Sequence, residues 1–110
     1  MNTNSYIMGK SERYNKVLSL VAEETEVRKE MIVSSNKQEE VVDARSLLIR
    51  ILYEQGFYPI QISQLSGICP RCVSPFIVGF NERKASHKML GVNYERVKRK
   101  LGELEEKGLI

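Results

Sequence analysis

The chain has 110 residues, of which 42% are hydrophobic and 28% charged, and its formal net charge is +3. This length predicts one small domain and leaves no room for a nucleotide-driven motor. The sequence contains no Gly-rich phosphate-binding motif. No apolar run approaches the ~18–20 residues that span a bilayer. The polar start at residues 2–5 predicts no signal peptide. We therefore expect a cytoplasmic binding domain.

The first segment with helical periodicity begins after about ten residues. Residues 1–10 show no apolar pattern and are predicted to be a flexible N-terminus, followed by a single domain over residues 11–110. A helix is predicted from Ser11 to Thr25 or Glu26. Its apolar positions have the i, i+3, i+4 spacing of one helix face: Tyr14, Val17, Leu18, Val21 and Ala22.

The main core helix is predicted in the middle of the chain. A short helix over residues 28–33 and a polar loop precede it. Residues 38–55 then carry apolar side chains on one face, at Val41, Ala44, Leu47, Leu48, Ile51 and Leu52. Gly56 is placed to end this helix in the left-handed conformation.

A helix pair is predicted next. Residues 59–66 form a short helix, Gly67 is the turn residue, and a second amphipathic helix begins near residues 72–74. Ser74 is predicted to cap the second helix, with Pro75 in its first turn. This order is typical of a helix-turn-helix, although the predicted turn is longer than the usual three or four residues.

The charge is concentrated in the second half of the chain. A break at residues 91–92 is predicted to precede a last helix. Residues 71–100 contain eight basic and two acidic residues, a local net charge of +6. Such a stretch is the footprint expected of a phosphate-binding face, or alternatively of a solvated helix surface.

Two cysteines, Cys69 and Cys72, form one Cys-Pro-Arg-Cys sequence. A structural zinc site needs four ligands, and His87 is the only other soft candidate. No strand is predicted upstream, as a thioredoxin-like motif would require. Free thiols at a helix start are the favoured interpretation, and a metal or thiol-redox role stays open as a third functional hypothesis.

Four segments carry a family pattern: VLSLVA at residues 17–22, VRKEMI at 27–32, EVVDAR at 40–45 and GFYPIQISQLSG at 56–67. Together they resemble the C-terminal DNA-binding domain (domain IV) of the bacterial replication initiator DnaA, over about Tyr14 to Leu104. The resemblance implies an all-α, Trp-repressor-like helix-turn-helix fold, with residues 59–66 as its first helix. It also implies double-stranded DNA as the partner.

The chain departs from that family at the start of the recognition helix. The family signature there is Gly-Gly-Arg-Asp-His-(Thr/Ser)-Thr-Val. In the alignment Arg71 and Ser74 keep its polar chemistry, whereas Cys72 and Val73 replace Asp and His, after an insertion of about two residues. Since the family's Asp and His would read base edges, the departure argues against the family's usual target sequence.

Eight residues are candidates for DNA contact. Arg71 is predicted to bind a guanine edge or a phosphate, Ser74 to cap its helix or meet a phosphate, and Asn81 to read adenine. The resemblance implies a backbone contact for Arg45. The remaining candidates are predicted phosphate contacts: Lys37, Arg83, Lys84 and Lys88.

The pattern as a whole predicts a sequence-diverged double-stranded DNA-binding protein, in replication initiation or transcription regulation of a bacterial chromosome or mobile element. The alternative is a protein-interaction module that retains the fold without DNA readout, motivated by the eroded signature and by Glu39 and Glu40 where the family is basic. A protein partner or homodimer is compatible with either, and no membrane or nucleotide partner is expected. No nucleophile–base set or catalytic carboxylate pair stands out, so no catalytic residue, cofactor or metal is predicted, and the chain is not expected to be an enzyme.

Overall fold

Residues 9–109, which the computed structural model describes, form seven helices and no strand, and the predicted all-α class is confirmed. The helices are α1 (Lys10–Thr25), α2 (Lys29–Ile32), α3 (Glu39–Glu54), α4 (Pro59–Ser66), α5 (Pro70–Val78), α6 (Phe80–Ser86) and α7 (Lys88–Glu106). The long helix α3 lies at the centre, because it packs against each of the other six.

α3 is buried on nearly every side. All six residues from 44 to 49 are buried, and the apolar face continues through Ile51 and Leu52. α1 and α7 cover this helix with side chains such as Val17 and Val97, which have no exposed surface. Each large side chain buried in this way stabilises the fold by about 1.5–3 kcal/mol, so α3 is the main structural support of the domain.

Local patterns locate α1, α3 and α4 to within one or two residues. Gly56 and Gly67 both have positive φ, +95° and +79°, and each follows the end of a helix. The first helix begins at Lys10, one residue before the predicted start. Of the predicted flexible segment, residues 1–8 lie outside the described residues.

The predicted start of the second helix of the pair is wrong. α5 begins at Pro70, with Cys69 as its N-cap residue. Proline suits a first helical position because its ring presets φ and because the missing N–H has no helical partner there. Ser74 consequently lies inside the helix and does not cap it.

The structure has one helix break that was not predicted and lacks one that was. Gly79 separates α5 from α6, so the second helix of the pair ends at Val78 and Phe80 belongs to a separate helix. Residues 91–92 do not break the last helix, because α7 continues through them with Leu90 and Tyr94 on one buried stripe. A side chain at Gly91 would place its Cβ 3.3 Å from Cγ of Lys84, so glycine gives this lysine room to cross α7.

Candidate nucleic-acid interface

α4 and α5 are joined by a turn of three residues, shorter than predicted, because α5 begins early. Two buried serines hold the turn. The Ser63 hydroxyl donates to the Ile68 carbonyl at 2.6 Å, and the Ser66 hydroxyl accepts from the Ile68 N–H at 3.1 Å. Ile68 itself is buried, and Gly67 supplies the left-handed backbone. Hydrogen bonds to both the N–H and the carbonyl of Ile68 therefore hold the turn against α4.

α5 presents one exposed face. Val73 is completely buried and anchors the helix, whereas Arg71, Ser74 and Val78 are exposed. Within residues 9–109 no ion pair or hydrogen bond engages the guanidinium of Arg71. Pro75 has no N–H, so the Arg71 carbonyl also lacks its partner one turn later. The first turn of α5 thus presents an exposed cation that has no partner within residues 9–109.

A mostly apolar groove of about 540 Å³ lies beside the start of α5. Lys37, in the loop before α3, lines it together with Cys69, Cys72 and Phe76. The ammonium-bearing side chain of Lys37 is exposed. The structure therefore brings the predicted loop contact, Lys37, and the predicted helix contact, Arg71, to the same end of α5.

Arg45 does not fit its predicted DNA contact. Its side chain belongs to a residue that is only 6% exposed, and its guanidinium is used inside the protein. Nε donates to the Ile32 carbonyl at 2.8 Å and Nη2 to the Met31 carbonyl at 3.2 Å. The first bond satisfies the carbonyl of the last residue of α2, whereas the Met31 carbonyl also accepts from the N–H and the hydroxyl of Ser34, at 3.1 and 2.6 Å. Arg45 attaches α2 to α3, and we assign it a structural role instead of a DNA contact.

Arg83 belongs to an ion cluster at the start of α3. Its Nε donates to Asp43 Oδ1 at 2.6 Å, and His87 Nδ1 lies 2.8 and 2.9 Å from the two oxygens of the same carboxylate. Glu39 Oε2 lies 3.2 Å from the other ring nitrogen. Asp43 thus largely neutralises the charge of Arg83, the residue predicted to contact a phosphate. The two residues are 40 positions apart, and no local pattern indicates their pairing.

Lys84 lies against aromatic rings. Its ammonium is 4.8 Å from the centroid of Tyr94 and 5.9 Å from that of Phe80. This cation–π contact holds the lysine to the domain and reduces its reach. Lys88, at the start of α7, and Asn81, in α6, are by contrast exposed and free to meet a partner.

Much of the remaining basic stretch docks α7 onto α1. Lys100 pairs with Glu24 and lies 3.7 Å from Glu23, and Arg96 lies 4.0 Å from Glu24. Arg99 is exposed, with no ion pair among residues 9–109. The basic residues behind the local charge of +6 are therefore divided between ion pairs within the protein and exposed cations that have no ion pair among residues 9–109.

No protein-family model, curated protein or solved structure matches this chain. Among residues 9–109, no three His, Cys, Asp or Glu side chains are grouped so that they could share a metal ion. None of the helices in the described part of the chain has the length and apolarity needed to cross a membrane.

Proposed function

We propose that this protein is a double-stranded DNA-binding protein of helix-turn-helix type, with α5 as the helix that enters the major groove. One observation carries the proposal. α4 and α5 are joined by a three-residue turn containing Gly67, and the exposed first turn of α5 carries Arg71 without an ion pair. DNA-reading helix pairs have this turn length, and they contact bases with the N-terminal residues of the second helix.

The free cations set the expected strength of binding. Lys37, Arg71 and Lys88 are exposed, and none has an ion pair within residues 9–109. If all three neutralise phosphates, the logarithm of the binding constant falls with the logarithm of salt concentration with a slope of about −3. Binding of this kind is weak and strongly salt-dependent.

Specificity would come from few groups. Arg71 can bind guanine with two hydrogen bonds, and Val78 offers an apolar surface to a thymine methyl group. Ser74 and Asn81 add exposed polar groups on α5 and α6. With the resemblance to domain IV of DnaA, this chemistry favours a role in replication initiation or transcription regulation, on a bacterial chromosome or mobile element in the cytoplasm, with a target different from that of the family.

A specific observation favours the alternative of a protein-interaction module. Val78 is 84% exposed on the same face of α5, and Tyr58 and Ile60, at the start of α4, are 69% and 55% exposed. Exposed apolar side chains on both helices of the pair provide the kind of surface that a protein partner would cover.

Opposite charges at position 78 separate the two functions. Binding to a pool of random duplexes is measured for Val78→Lys and Val78→Glu at low and high salt. A DNA-facing α5 predicts tighter binding by the lysine variant and weaker binding by the glutamate variant, at about tenfold or less in each direction. Equal binding by both variants, or no binding by folded wild-type protein at low salt, would overturn the proposal.

A further inference from the structure

Both cysteines of the chain lie at the start of α5, and both are exposed as free thiols. Cys69 is the N-cap residue and Cys72 is the third residue of the helix. The Cys72 N–H donates to the Cys69 carbonyl at 2.8 Å, so one tight turn links the two residues. Because the chain contains two cysteines in total, any thiol chemistry of this protein belongs to this pair.

The spacing allows the two sulfur atoms to meet. Residues three apart in a helix have Cβ atoms about 5–6 Å apart, and a disulfide needs about 3.5–4.5 Å. Cys69 has extended backbone angles, φ −54° and ψ 135°, and its side chain makes no capping hydrogen bond. Because Cys69 precedes the first helical residue, rotation of its side chain can bring its sulfur toward Cys72 without unwinding α5.

The surroundings are suited to an incoming molecule. Both cysteines line the groove of about 540 Å³ described above, together with Arg45 and Lys37. Burial lowers the pKa of the Arg45 guanidinium, and the nearby Cys72 opposes this effect, which places the two groups within electrostatic range of each other. A small disulfide that carries carboxylates, such as glutathione disulfide, finds two exposed thiols and the exposed ammonium of Lys37 in one groove.

We propose that Cys69 and Cys72 are a dithiol site that exchanges with a low-molecular-weight disulfide and closes a reversible disulfide across the first turn of α5. The Cys72 thiolate attacks one sulfur of glutathione disulfide, which forms a mixed disulfide and releases one glutathione thiolate that takes up the proton lost by Cys72. The Cys69 thiol then loses its proton and attacks the sulfur of Cys72. This second step forms the Cys69–Cys72 bond and releases the second glutathione, so two protein thiols are oxidised and one disulfide is reduced to two thiols.

The test uses the full chain in buffers of defined glutathione to glutathione disulfide ratio, followed by acid quenching, thiol alkylation and intact-mass measurement. Wild type is expected to lose two hydrogen atoms and to remain monomeric. Cys69→Ser is expected to accumulate the glutathione adduct at Cys72, and that adduct is expected to last at least about tenfold longer than the mixed disulfide of the wild type, because the second thiol is absent. Cys72→Ser serves as the matched variant and is expected to accumulate a long-lived adduct at Cys69 in the same way, because it also lacks the second thiol.

Accumulation of doubly glutathionylated wild type, or of disulfide-linked dimers in place of the internal disulfide, would overturn the inference. Circular dichroism is used to check that both serine variants are folded. We expect both to fold, because both cysteine side chains are exposed. No DNA is present in this measurement, so its failure leaves the proposed function standing, and a failure to bind DNA leaves the dithiol site standing.

Discussion

Replacing Arg45 by alanine separates a structural arginine from a DNA-binding one. The substitution removes two hydrogen bonds from a charged donor, to the carbonyls of Ile32 and Met31. Hydrogen bonds to charged groups contribute about 1.5–3 kcal/mol each. The Met31 carbonyl keeps its two hydrogen bonds from Ser34, and water can enter the space that the side chain leaves and solvate the Ile32 carbonyl, which favours the lower end of the range. The expected loss in the free energy of unfolding is therefore about 3 kcal/mol.

Urea denaturation followed by circular dichroism measures this loss. For a domain of this size, with a slope of about 1.5 kcal/mol per molar urea, the midpoint of unfolding is expected to fall by about 2 M. Most small domains have about 5–15 kcal/mol of stability, so Arg45→Ala remains folded in the absence of urea. Its folded form should bind DNA as tightly as the wild type does.

Arg71→Ala is the matched control, since it removes the same side chain from an exposed position. Its free energy of unfolding should stay within about 0.5 kcal/mol of the wild-type value, because the Arg71 side chain has no partner within residues 9–109. Unchanged stability in Arg45→Ala would refute the structural role of that arginine. Lost DNA binding in Arg45→Ala at full stability would restore the contact that the family resemblance implies.

Three further predictions concern the parts of the fold that position α5 and α7. Gly67→Ala should destabilise the protein by about 1 kcal/mol or more, because φ is +79° at this position. Gly102→Ala, in α7 with open space around the added Cβ, should instead stabilise the protein by up to about 1 kcal/mol. Equal urea midpoints for the two variants would contradict both predictions. A double-mutant cycle of Asp43→Ala and Arg83→Ala should give a coupling energy of about 1 kcal/mol, and strict additivity would exclude the proposed pairing. Burial, together with a hydrogen bond to a carboxylate, raises the pKa of Tyr94. The stability that the neutral Tyr94 contributes is therefore complete below the pKa of the unfolded state and is lost as the pH rises through the pKa of the folded state. Thermal midpoints between about pH 9 and 11 should fall less steeply in Tyr94→Phe than in the wild type, and parallel curves would refute the assignment.

The parts of the fold that depend on local pattern can be predicted from sequence. α1 and α3 follow from apolar spacing, and α4 follows from Pro59 at its start and Gly67 at its end. Each of these signals lies within a few residues of the element that it determines. The sequence alone does not locate the start of α5, because Pro70 and Pro75 both suit a first helical position, and the buried Ile68 in the turn favours the earlier one.

The parts that depend on distant partners cannot be predicted in this way. Nothing near Arg83 in the chain indicates that Asp43 will neutralise it, and nothing near Arg45 indicates that α2 will use its guanidinium. A basic residue therefore has the same appearance in the sequence whether its charge is free or paired. Of the basic residues predicted to contact DNA, Lys37, Arg71 and Lys88 are exposed in the structure, but the sequence alone could not distinguish them from the paired ones.

The most direct test of the proposed interface is the salt dependence of duplex DNA binding, measured by fluorescence anisotropy for wild type, Arg71→Ala and Arg99→Ala. Both variants lose one exposed arginine, so the change in net charge is the same and only its position differs. If α5 meets the DNA, Arg71→Ala should bind at least about tenfold more weakly and its salt slope should decrease by about 1, whereas Arg99→Ala should retain nearly the wild-type affinity and slope. Equal weakening by the two substitutions would show a non-specific attraction by net charge and would contradict DNA binding through α5.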